Sequence, residues 1–238
     1  MAAFGQRLAT ELQEKTQVVL GRQSEWSLRY PHPLPAQPID LQVAGITVNG
    51  TLEGLYQGEA GWLLRHQRVG AVLEGEKEAR TTRAHVVVGL WLHHLVACAS
   101  AMPLTSVQLG LDGQVFFAPL PQDEALGVLQ KLVSAYLAAW ERPLPVACKT
   151  AWAFLQVQTQ ADRLAVEQPD KEPKDPHEAA QAVFEGARHG GERAESAYLA
   201  RAFESYDDIE SELPAWAECL YGDLARHVRL NPSEGDTQ

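Results

Sequence analysis

The run from Val86 to Ala101 constrains this chain more than any other feature of it. It is apolar nearly all round a helix, and His93 and His94 are its interruptions. A helix of that kind has to be covered over most of its circumference. It falls short of the ~18 uninterrupted apolar residues that suggest a membrane span. The expectation is therefore a helix from about Ala84 to Ala101, buried against a sheet.

The flanks supply the sheet. Ile39 to Val43 alternates apolar and polar residues, Ala44-Gly45 can turn the chain, and Ile46 to Tyr56 reads as a second strand, with Asn49-Gly50 as a turn or a bulge. Trp62 to His66 reads as a third. Beyond the buried helix, Thr105 to Leu109 and Gln114 to Phe117 flank Asp112-Gly113 as a hairpin. Ahead of them all, Phe4, Leu8, Leu12 and Val19 recur at helical spacing, predicting an amphipathic helix that ends near Gly21.

Helices dominate the rest. Asp123 is placed to cap a helix that carries Leu126, Leu129, Val133, Leu137 and Trp140 on one face. Another starts at Thr150. The charged, proline-rich stretch from Glu167 to Pro176 reads as a loop, and helical patterns return over 177–187, 192–203 and 215–228, ahead of a mobile tail from Asn231. The expected organisation is an α/β domain over residues 1–156 and a helical segment over 157–238 packing on it.

Helix, three strands, helix, strand is the order of the PD-(D/E)xK, restriction-endonuclease-like nuclease fold. Enzymes of that fold place one acid on the second strand and an acid-x-Lys on the third, holding a divalent metal that activates water. Here Glu53 falls at the first position, but Arg65 and Gln67 fall at the acid and lysine positions. A guanidinium repels a metal and glutamine brings no charge. The site reads as degenerate, with no catalytic residue, no metal ligand and no cofactor. An active metal-dependent nuclease would have to use Glu53 with Glu59, the other nearby acid. No GxxxxGK[ST] or GxGxxG motif is present, which argues against a nucleotide site.

Formal net charge is -11, so nucleic acid would have to meet a local basic patch. The most basic stretch holds Arg65, His66, Arg68, Lys77, Arg80 and Arg83, diluted by Glu74, Glu76 and Glu78. It reads either as a set of phosphate contacts or as a solvated loop with surface ion pairs. No Lys or Arg falls between Arg201 and Arg226, so that acidic segment should avoid DNA. Trp91, Trp140, Trp152 and Trp216 lie in apolar helical patterns and read as core. Neighbouring helical positions point about 100° apart, so His93 and His94 cannot chelate one metal together. The three cysteines lack zinc or redox spacing and read as reduced thiols of a cytoplasmic protein.

The segment from Leu90 to Ser100 resembles a helix motif of the C-terminal region of RecC, the gamma chain of exodeoxyribonuclease V. The hairpin at Asp112-Gly113, then Phe116 to Leu120, Ala125-Leu126, Arg142 to Pro145 and Ala151-Trp152 continue the likeness over roughly residues 39–156. The resemblance implies a nuclease-like fold without the catalytic set, in an ATP-dependent complex of double-strand-break repair and recombination. It implies DNA and RecB-like and RecD-like subunits as partners, a role in guiding DNA, no membrane, and a parent subunit several times longer than this chain. A domain that only holds the complex together is the interaction-only alternative.

Overall fold

A computed structural model describes residues 2–75, 80–168, 170, 172–186 and 190–232. The first helix, α1 (Ala2–Arg29), is followed by strands β1 (His32–Pro33), β2 (Gln37–Val43), β3 (Ile46–Leu52), β4 (Leu55–Gly58), β5 (Gly61–Gln67), β6 (Leu73–Glu74) and β7 (Thr81–Thr82). Then come α2 (Ala84–Ala99), β8 (Leu104–Leu109), β9 (Gly113–Phe117), α3 (Gln122–Glu141), α4 (Cys148–Glu167) and α5 (Pro176–Glu185). Short helices α6 (Glu192–Glu195), α7 (Ala197–Ala202), α8 (Asp207–Glu210) and α9 (Leu213–Ala217) precede a π-helical turn (Glu218–Gly222), α10 (Asp223–His227) and β10 (Arg229–Pro232).

The fold is mixed α/β. One sheet has the order β1-β4-β5-β8-β9-β10, while β2-β3 and β6-β7 form separate two-stranded ribbons. Within the main sheet β5 and β8 run parallel and the other pairs antiparallel. The β5–β8 pair needs a crossover, and α2 lies on it, packing on β8 and β9. Residues alternate between faces along β8, so Ser106 and Val107 look opposite ways. Val107 joins Val19 and Trp26 of α1, Tyr30 just after it, and Leu63 and Leu109 in one core. Ser106 meets His94 of α2 on the other face.

Chain contacts divide the molecule into two compact units, Met1–Leu129 with His227–Gln238, and Gln130–Arg226. The expected boundary at 156/157 falls inside α4. In the second unit Phe154, Leu155, Ala180, Phe184, Tyr206 and Ile209 share a core. Glu192 closes the open N-terminal turn of α4, accepting from the backbone N–H groups of Lys149 and Thr150 at 2.9 and 2.8 Å.

Several local expectations need correction. The first helix continues past Gly21 to Arg29, because Trp26 and Tyr30 anchor it to the sheet. Asn49-Gly50 is neither a turn nor a bulge: both residues pair in register with Asp40 and Ile39. The turn is at Ala44-Gly45, both with positive φ. The segment from Ile46 to Tyr56 is two strands, parted at Glu53-Gly54. Asp123 lies inside α3, and the buried face of that helix runs through Ala125, Val128, Leu129 and Ala135. Leu137 and Trp140 therefore stand exposed. The expected mobile tail begins with two residues of β10, where Asn231 and Pro232 pair with Gln114 and Gly113. Residues 233–238 lie outside the described residues.

Candidate functional site

At the C-terminal end of β5, Arg65, His66, Gln67 and Arg68 line an open groove of about 620 Å³, with Glu53, Gly54 and Gln108 across from them. The chain stays extended past β5, since the Arg68 N–H donates to the carbonyl of Leu109 at 3.0 Å. Glu53 reaches the groove because the chain kinks there. Gly54 takes φ +75°, and its carbonyl accepts the Arg65 N–H at 2.9 Å. A Cβ on Gly54 would stand 2.9 Å from the Arg65 carbonyl oxygen, which restricts the position to glycine.

Arg65 sits at the groove but is committed elsewhere. Its guanidinium carbon lies 3.9 Å from the centre of the Tyr56 ring, and its Nη1 donates to Ser27 Oγ at 3.1 Å. Nη2 donates to the Tyr56 hydroxyl. The cation is stacked and half-buried between β4 and α1. Glu53 and Glu59 do not meet: Glu53 precedes β4 and Glu59 follows it, in a second cleft with His32 and Gln57. Among the described residues no group of three or more His, Cys, Asp or Glu side chains converges as a metal site.

His66 is half-buried, and its ring meets that of His93 from α2 edge to face, centres 5.3 Å apart. Burial first, and His93 second, hold the His66 imidazole below the ordinary histidine range. Arg68 is exposed at the groove wall.

Arg80 and Arg83 are not among the residues that line that groove. Arg83 Nε donates to the Leu73 carbonyl at 2.8 Å, and Arg80 Nη1 to the Asp112 carbonyl at 3.2 Å. Asp112 accepts from the N–H groups of Val72 and Leu73 at 2.8 and 3.1 Å, so these contacts tie the segment after the groove to the β8–β9 turn. Lys77 lies outside the described residues.

Of the tryptophans, Trp91 and Trp152 are buried as expected, Trp216 is half-buried and bonds to Glu212, and Trp140 is 74% exposed. His94 is buried, its Nδ1 is 2.9 Å from Ser106 Oγ, and burial drives its pKa down to about 4. It is a core histidine. The residues around the site that the sequence did not assign to it are Gln108, which lines the groove, Tyr56 and Ser27, which hold Arg65, and His93, which meets His66. They come from four elements, and only the register of β4 and β8 against β5 could have indicated two of them.

No helix among the described residues is long and apolar enough to cross a membrane. One family model, described as the RecC C-terminal domain, matches residues 1–159. Among curated proteins none matches the chain.

Proposed function

The chain belongs to the RecC C-terminal domain family, and from that premise we propose that it is a non-catalytic, DNA-guiding domain of a RecC-like subunit of exodeoxyribonuclease V. Its fold on this reading is a nuclease-like one with a degenerate site. It acts in the cytoplasm alongside RecB-like and RecD-like subunits, in the repair and recombination of broken DNA. The observation that carries the reading is the makeup of the groove at the end of β5. Arg65 and Gln67, which the strand order sets against the acid and the lysine of a nuclease of this type, both line it. Glu53 is the one carboxylate among the described residues lining it. Arg68 and His66 supply cationic or protonatable groups that suit a phosphate.

The reading makes Arg68 and His66 the groove's phosphate contacts, with Arg65 holding the wall in shape. Arg80 and Arg83 brace the segment behind it. Two measurements test this. Purified chain with labelled single- and double-stranded DNA and Mg²⁺ or Mn²⁺ should give no cleavage. Cleavage that disappears in Glu53→Ala would overturn the non-catalytic assignment. In the assembled complex, Arg68→Gln should weaken DNA binding and flatten its salt dependence by about one unit, one phosphate contact. An unchanged slope with the complex intact would favour the interaction-only domain.

A further inference from the structure

His93 is absorbed neither by the core nor by the groove as described so far. It is exposed on α2, yet its ring lies against His66. The geometry of β5 explains the meeting. His66 and Arg68 are two residues apart on extended chain, so they share one face, roughly 6–7 Å from each other. That is the face α2 covers, since Ser106 of β8 also looks at α2 through His94. Helix α2 thus delivers a second imidazole to the side of the strand that already carries His66 and Arg68. Gly89, one turn before His93, is exposed and has open space where a side chain would stand, so α2 leaves the approach clear.

We propose that His93 completes an anion site with His66 and Arg68, which takes one phosphate group of a nucleic-acid strand and a proton from solvent along with it. The inference rests on the groove reading above and names its ligand chemistry. Burial and then the neighbouring His93 disfavour protonation of His66. A phosphate bound beside them reverses that balance. Imidazoles change charge between about pH 5 and 8, so the coupling falls in an accessible range. The charged and titratable groups around His66, among the described residues, are Glu53 on the link before β4, Arg65 and Arg68 on β5 and its continuation, and His93 on α2. From β8 its register partner is the neutral Gln108. Burial first and His93 second work against protonation of His66, and a phosphate bound there favours it.

The test uses the full chain, a labelled single-stranded oligonucleotide, and anisotropy at about pH 7.5 and 5.5, the two sides of the imidazole range. The unchanged protein should bind roughly 5- to 10-fold more tightly at the lower pH, one proton giving up to about tenfold per pH unit. His93→Gln should reduce that gain to about twofold or less, the remainder coming from lowered net negative charge. Arg68→Gln should weaken binding at both pH values. A chain in which Arg68→Gln weakens binding but His93→Gln leaves the pH response unchanged overturns this inference and leaves the groove reading standing. No effect of Arg68→Gln at either pH overturns the groove reading and the inference with it. Imidazole resonances are followed in parallel with inorganic phosphate alone. Shifts at His93 with phosphate but none with the oligonucleotide would make free phosphate the ligand and overturn the nucleic-acid assignment. His93 is exposed, so His93→Gln should melt as the parent does. It carries the test even if His66→Gln, at a half-buried position, fails to fold.

Discussion

Gly54 and Arg65 meet back to back: the Arg65 N–H donates to the Gly54 carbonyl at 2.9 Å, and no Cβ fits on Gly54 because the Arg65 carbonyl stands 2.9 Å from where it would be. This contact turns the chain out of the β2–β3 ribbon and into the main sheet. It also brings Glu53 to the groove wall. Gly54→Ala should cost about 1–3 kcal/mol, the range for a side chain forced into left-handed backbone. Urea denaturation measures it. A loss under about 0.5 kcal/mol, the level of a surface substitution, would mean the kink is not needed.

Asp112 should matter for stability although it sits at a turn. Its carboxylate accepts two backbone N–H groups, from Val72 and Leu73, and so fixes the segment after β5 to the turn between β8 and β9. Asp112→Ala should cost about 1–3 kcal/mol, and Asp112→Asn less, because one oxygen acceptor survives. Equal losses from both substitutions would count against the two-acceptor account.

Trp91 and Trp140 should behave oppositely. Trp91 is 1% exposed and packs on His94, Phe117 and His227 with ring centres 5.0 to 5.7 Å apart. Trp91→Ala should destabilise by about 3–5 kcal/mol. Trp140 is 74% exposed and touches Tyr136 edge to face. Trp140→Ala should change stability by less than about 0.5 kcal/mol. Thermal and chemical melts of the two variants decide it, and a large loss at Trp140 would show that α3 is packed on that face.

Stability should fall in acid partly through His94. Its folded pKa is pushed down to about 4, by burial first, with a hydrogen bond to the Ala118 backbone opposing and His227 adding to the shift. The unfolded imidazole titrates near 6.5, so below that value the unfolded state binds the proton first. The term is absent above about pH 7 and grows as pH falls toward 4, where it removes about 3 kcal/mol. Below pH 4 both states are protonated and it grows no further. His94→Gln should flatten the stability difference between pH 7 and 4.5 relative to the parent. An identical pH profile in the variant would mean His94 is not held neutral.

Periodicity alone identified the buried helix, the hairpin at Asp112-Gly113 and the helical character of the second half. Those signals are local: an all-apolar helix must be covered, and Asp-Gly between two apolar runs turns the chain wherever it lies. That Arg65 and Gln67 bring neither an acid nor a lysine to the end of β5 was also legible, because it depends on residue type alone. Which side chains share a place was not. Arg65, His66 and Arg68 are near neighbours in sequence, yet Arg65 stacks on Tyr56 beneath α1 while His66 meets His93 of α2. Arg80 and Arg83, from the same basic stretch, bond to the carbonyls of Asp112 and Leu73 instead. The period of 2 sends alternate residues to opposite faces of a sheet, but only the packed helices decide what each face meets. The same holds at α3, where Trp140 fits an apolar stripe and stands in solvent: periodicity defines a face, and the elements around it determine whether that face is covered.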